Sequence, residues 1–84
     1  MTDRTVIDAV LMDLAHRRGA GKTFCPSEAA RALGGDWRAR MGDVRGVAAR
    51  LAAEGLIVAT QKGRPVNPVT ARGPIRLGLP GGRA

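Results

Sequence analysis

The chain has 84 residues, a formal net charge of +7, one cysteine and one tryptophan. This length leaves room for one hydrophobic core, so we expect a single domain over residues 1–84, with an ordered core at about 5–79 and a flexible tail at 80–84. One cysteine excludes an internal disulfide and a zinc site, and without a secretion signal or a membrane-spanning apolar run we expect a cytoplasmic protein.

An amphipathic helix is predicted first, because apolar residues recur at helical spacing from Val6 to Ala15. Thr5 is suited to cap this helix, with Asp8 at the capping-box position three residues later. Gly19 is suited to end it. The next residues favour one short strand, which Pro26 stops: Thr23, Phe24 and Cys25.

Two further helices are predicted in the middle of the chain. The first begins at Pro26, which suits the first helical position, and ends before Gly34 and Gly35. Asp36 offers a start for the next helix at Trp37, but Gly42 followed by Asp43 offers a second start. We expect a short turn at 37–41 and a main helix from about 43 to 54, with the apolar stripe Val44, Val47, Ala48 and Leu51.

The last third of the chain predicts two strands and a stiff loop. Residues 56–61 are apolar and β-branched, and Ile75, Leu77 and Leu79 alternate with Arg76 and Gly78. The segment KGRPVNPVTARG between them contains two glycines and two prolines. The element order predicts a mainly α winged helix-turn-helix, with three helices and a two- to three-stranded antiparallel sheet formed around a small β-hairpin.

Three segments also resemble a known family: FCPSEAARAL, DWRARMGDVRGVAARLAAEGLI and KGRPVNPVTARGPIRL. They are similar to the small bacterial family catalogued as Domain of Unknown Function 3253, whose members look like winged helices. The resemblance covers about Val6 to Leu79. It implies the fold, and it supplies no activity and no site residue.

Positive charge is concentrated in the second half of the chain. Residues 1–36 carry equal numbers of acidic and basic residues, whereas residues 56–84 carry five basic residues and no acidic one. This asymmetry favours a polyanion on one side of the molecule, and we expect double-stranded DNA as the partner. A genomic bias toward arginine is the alternative explanation.

The candidate nucleic-acid contacts lie on the third helix and in the loop after it. Arg38, Arg45 and Ala49 share one flank of the helix, where arginine can bind phosphate or guanine. Lys62, Arg64 and Arg72 are candidate phosphate contacts in the wing. The alternative for all of them is an ordinary solvated surface. On the opposite flank, Arg50 and Glu54 have the spacing of a helix-surface ion pair.

The remaining motifs give no catalytic residue, cofactor site or metal site. GAGKT at 19–23 departs from a phosphate-binding loop because His16 stands where a glycine is required. Trp37 is expected to pack against the core rather than stack on a ligand. We therefore expect no enzyme. A module that binds proteins without binding DNA is the alternative function, and a homodimer also stays open.

Overall fold

The computed structural model describes residues 4–80. These residues form three helices and four strands, which in chain order are α1 (Arg4–Arg18), β1 (Thr23–Phe24), α2 (Pro26–Ala32), α3 (Trp37–Ala53), β2 (Val58–Gln61), β3 (Arg64–Pro65) and β4 (Arg76–Gly78). The helices pack on one another, and the strands form one antiparallel sheet in the order β1-β4-β2-β3. The arrangement is winged-helix-like and mainly helical, as predicted, but the sheet within residues 4–80 has four strands instead of two or three, because the wing adds the short strand β3. The predicted tail lies, apart from Pro80, outside the described residues.

The ends of α1 and α2 follow local sequence signals. Gly19 has a left-handed φ of 83° directly after α1, as predicted for a residue that ends a helix. Pro26 is the first residue of α2, and the backbone N–H of Cys25 donates to Glu28 Oε2 at 3.1 Å. The predicted cap at Thr5 is wrong, because α1 already includes Arg4.

Helix α3 is one continuous helix from Trp37, so the predicted turn at 37–41 and start at about 43 are wrong. Trp37 and Met41 pack against the core at helical spacing ahead of Val44, which extends the apolar stripe by more than one turn. Gly42 is exposed, where a helical glycine costs only about 1 kcal/mol relative to alanine. Packing of the two side chains outweighs that cost. Asp36 is the N-cap residue.

The hydrophobic core lies between the helices and one face of the sheet. Phe24 from β1 and Leu77 from β4 are fully buried and directly opposite each other in the sheet. Strand β4 is central, since Leu77 also pairs with Ala59 of β2. The core of the described region is apolar and includes Ile7, Leu11, Val44, Leu51, Ile57 and Ile75.

The wing differs from the predicted single loop between two strands. Gln61 pairs with Arg64, which leaves Lys62 and Gly63 as a two-residue turn. Both have positive φ, 53° and 79°, as a type I′ hairpin turn requires. The chain then leaves β3 and returns to β4 through residues 66–75. We name residues 66–74 the wing loop.

None of the helices within residues 4–80 has the length and apolar character needed to cross a membrane.

Candidate functional site

The face of α3 that is exposed to solvent carries small side chains, and we name it the solvent face of α3. Opposite the buried stripe, its residues are small: Ala39, Gly42, Gly46, Ala49 and Ala53. An added Cβ would meet no atom within 4 Å at either Gly42 or Gly46. Ala49 is half-buried at the edge of this face. Another molecule can therefore approach the backbone of α3 closely along this face.

Arg45 does not extend freely from α3. Its Nη1 donates to the carbonyl oxygens of Pro68 and Ala71 at 3.3 and 2.8 Å, and its Nη2 donates to that of Gly73 at 2.8 Å. The guanidinium group has a planar arrangement of donors, so one side chain can bind several carbonyl groups at once. The structure thus gives Arg45, predicted as a nucleic-acid contact, three bonds to the wing loop.

Gln61 holds the same loop from the side of the sheet. Its amide Nε2 donates to the carbonyl oxygens of Arg72 and Pro74, the latter at 3.1 Å. The carbonyls of four consecutive residues, 71–74, are therefore bound by Arg45 and Gln61 in alternation. We name this pair the carbonyl clamp. Because the loop forms no strand there, these bonds replace those of a sheet.

The three predicted wing cations line one concavity. Lys62 and Arg64 from the hairpin and Arg72 from the wing loop border it, and its walls are completed by Gln61, Pro65, Val66 and Pro74. Its volume is about 600 Å³. Within residues 4–80, the three basic side chains form neither a hydrogen bond nor an ion pair. We name this concavity the basic groove. Its electrostatics favour an anion that approaches from solvent.

Arg38 stacks on the indole ring of Trp37 instead of bracing the turn between α2 and α3. Its guanidinium carbon lies 4.5 Å from the ring centroid, and that of Arg31 from α2 lies at the same distance. Trp37 is half-buried against the core, so the prediction of packing is confirmed. The turn is braced by Arg40, whose Nε donates to the carbonyl of Gly34 at 2.8 Å.

The other flank of α3 is neutralised by acidic residues. The predicted pair is present, with Arg50 Nη1 at 3.1 Å from Glu54 Oε2, and Arg50 Nη2 also lies 2.5 Å from Asp8 Oδ2 of α1. Asp8 and Glu54 raise the pKa of Arg50 by hydrogen bonding to its charged form. Among residues 4–80, the arginines on the wing side of α3 therefore form no ion pair, whereas Arg50 on the side of α1 is paired.

The start of α2 holds a perturbed carboxyl group. Hydrogen bonding from the backbone N–H of Cys25 lowers the pKa of Glu28, with a further contribution from Arg18, against partial burial. Cys25 is half-buried beside Ser27, whose hydroxyl donates to its sulfur at 3.2 Å. In the part of the chain that the structure describes, no three His, Cys, Asp or Glu residues are grouped to hold a metal ion.

Lys62, Arg64 and Arg72 lie in one region, as the sequence predicted, whereas Gln61 and Arg31 were not predicted to contribute. A glutamine in a strand is usually an exposed surface residue. Nothing in the sequence around Gln61 indicates that the wing loop packs against it. Arg31 does carry a signal, since it lies six residues before the single tryptophan, across a glycine-rich turn.

The sequence as a whole matches one family over residues 4–80, described as a protein of unknown function (DUF3253). The chain belongs to this family. The match to DUF3253 runs from the first residue of α1 to Pro80, so it contains both the carbonyl clamp and the basic groove. No curated protein matches the chain.

Proposed function

We propose that this protein binds double-stranded DNA, with the basic groove on the phosphate backbone and the solvent face of α3 turned toward the major groove. The observation that carries the proposal is the basic groove itself: three cations without partners in the described residues line one concavity between the β2–β3 hairpin and the wing loop. A role in transcription regulation and a cytoplasmic location accord with such binding.

The distribution of charge supports a polyanion as the ligand. No acidic residue follows Glu54, so the sequence that forms the sheet's wing has no carboxylate of its own to compete for the groove. Phosphate contacts release counterions from DNA, and this release supplies much of the binding free energy. A single small anion would use one or two of the three cations, whereas a DNA strand offers a row of phosphates.

The solvent face of α3 allows DNA to approach the helix closely but offers few groups that could read bases. Gly46 and Ala49 carry no group that can hydrogen-bond to a base edge, and Arg45 is engaged by the wing loop. Most of the contacts proposed here are therefore with phosphates, which position a protein on DNA without reading its sequence. We expect modest sequence preference and steep salt dependence.

The test is fluorescence anisotropy of a labelled duplex across a range of salt concentrations, with wild type and K62A/R64A/R72A. Each phosphate contact contributes about 0.9 to the slope of log K against log salt, so the variant's slope is expected to fall by about 2.7. Between 50 and 200 mM salt, the wild type should lose about 40-fold more affinity than the variant.

A matched control removes the same charge elsewhere. R4A/R17A/K22A also lowers the net charge by three, but its residues lie on α1 and next to β1, at the sheet edge opposite β3. It should keep a slope close to that of the wild type. If the salt slope fell equally in the two variants, binding would depend on net charge and not on the basic groove. Absence of duplex binding by the wild type would refute the proposal.

One observation favours the alternative, a protein-binding module. The small residues on the solvent face of α3 suit contact with another helix or sheet at least as well as contact with bases. A protein partner whose binding survives high salt and K62A/R64A/R72A, but is lost when Gly46 is replaced by a bulky residue, would support this function over DNA binding.

A further inference from the structure

A second basic cluster lies at the turn between α2 and α3, separate from the basic groove. Arg31 and Arg38 stack on the one indole ring of Trp37, each at 4.5 Å from its centroid, and we name the three residues the turn cluster. We propose that the turn cluster is a second phosphate contact, which binds the backbone of the same duplex as the basic groove. This inference rests on the proposed function.

The turn cluster holds two cations that form no ion pair with a carboxylate within residues 4–80. The two guanidinium carbons are separated by at most twice their distance from the ring centroid. Both arginines are exposed, and neither forms an ion pair within residues 4–80. Asp36 is the adjacent acidic residue, and its side chain forms neither a capping hydrogen bond to α3 nor an ion pair within residues 4–80. Like charges held together in this way repel each other, and a bound phosphate relieves that repulsion.

Stacking on Trp37 prepares the two arginines for binding. The half-buried indole is fixed by the core, so guanidinium groups that rest on it lose part of their rotamer freedom before a ligand arrives. Less entropy is then lost on binding. Because the ring is already occupied by guanidinium groups, the expected contact is with phosphate rather than with a stacked base.

The placement of the turn cluster fits one duplex held at two points. Arg38 and Arg45 lie seven residues apart on the same flank of α3, which is about 10 Å along the helix axis. Arg45 anchors the wing loop, and this loop contributes Arg72 to the basic groove. A major groove is about 12 Å wide. The proposal accordingly places the turn cluster on phosphates at one side of a groove that α3 faces, and the wing loop that Arg45 anchors toward the other side.

The decisive comparison is R31A/R38A against R4A/R17A, which removes two charges from α1. Anisotropy with the same duplex should give a salt slope about 1.8 lower for R31A/R38A. Over a fourfold rise in salt, the wild type should then lose about 12-fold more affinity than R31A/R38A, and R4A/R17A should behave as the wild type. Circular dichroism checks that R31A/R38A is folded.

Trp37 gives a second readout, because it is the only tryptophan in the chain. Duplex bound at the turn cluster draws the guanidinium groups toward phosphate and should change the indole emission with the same midpoint as the anisotropy. The same change should persist at higher DNA concentration in K62A/R64A/R72A, whose groove is removed and whose turn cluster is intact.

The outcomes separate the two proposals. Duplex binding that depends on the groove, with a wild-type salt slope in R31A/R38A or an unchanged emission of Trp37, overturns the second contact and leaves the proposed function standing. A wild-type protein that binds no duplex overturns both. A lower slope in R31A/R38A together with a saturable emission change supports the second contact.

Discussion

Replacing Arg45 by alanine is expected to lower the free energy of unfolding by about 2–3 kcal/mol. The substitution removes three hydrogen bonds, to Pro68, Ala71 and Gly73. A bond from a charged donor contributes about 1.5–3 kcal/mol, but water can replace the exposed bond to Gly73 at little cost, and the 3.3 Å bond to Pro68 is weak. The partly buried bond to Ala71 therefore supplies most of the loss.

Urea denaturation followed by the fluorescence of Trp37 measures this change. For a domain of this size the melting temperature should fall by roughly 4–8 °C per kcal/mol. Arg17→Ala is the matched control, since Arg17 is 74% exposed and, within residues 4–80, pairs with Asp13 alone on the surface of α1. It should stay within about 0.5 kcal/mol of the wild type.

Two further variants of the carbonyl clamp sharpen the test. Arg45→Lys should be intermediate in stability, because an ammonium group cannot bind three carbonyls in the planar arrangement of a guanidinium group. Hydrogen exchange should be faster at the amides of the wing loop in Arg45→Ala than in the wild type. If Arg45→Ala were as stable as Arg17→Ala, with an unchanged wing loop, the role assigned to Arg45 would be wrong.

The other predictions concern two glycines and one carboxyl group. Gly78→Ala should cost about 1–3 kcal/mol, because the added Cβ would lie 2.8 Å from the carbonyl oxygen of Lys22 in the neighbouring strand segment. Gly46→Ala should instead stabilise the protein by up to about 1 kcal/mol, since the site is helical and open, and thermal unfolding compares the two. The lowered pKa of Glu28 adds stability that is complete above the ordinary carboxyl pKa and is lost as the pH falls through the lowered value. In Glu28→Gln, the free energy of unfolding should therefore fall less between pH 7 and pH 2 than in the wild type, as measured by urea titrations at each pH. An unchanged dependence of this free energy on pH would contradict the assignment.

The fold could be predicted because most of its signals are local. Gly19 ends α1 and Pro26 begins α2 through the conformation of the residues next to them. The alternation of apolar residues with Arg76 and Gly78 around Leu77 is visible within five residues. The predicted start of α3 was wrong because Gly42 followed by Asp43 was taken as the start signal, although the spacing of Trp37 and Met41 continues the apolar stripe. The sequence held the better evidence in that case, since two packed side chains outweigh one helical glycine.

The roles of Arg45 and Arg50 could be predicted only in part, for a reason that lies in the distance along the chain. Arg50 and Glu54 are four residues apart, and their pairing follows from helix geometry. The partner of Arg50 in α1 is 42 residues away, and the partners of Arg45 are 23–28 residues away. Periodicity places a side chain on a flank, but tertiary packing decides what that flank meets.

The carbonyl clamp separates the shape of the wing loop from the identity of its side chains. Every amino acid carries a backbone carbonyl, so Arg45 and Gln61 can hold positions 71–74 whichever residues stand at the exposed ones. Val69 is 60% exposed, and Thr70 and Arg72 are also exposed. Of these three positions, Arg72 lies within the clamped stretch, so a substitution there changes the exposed surface while the bond to its backbone carbonyl is retained. In this stretch the path of the backbone therefore does not depend on the side chain that it presents to solvent.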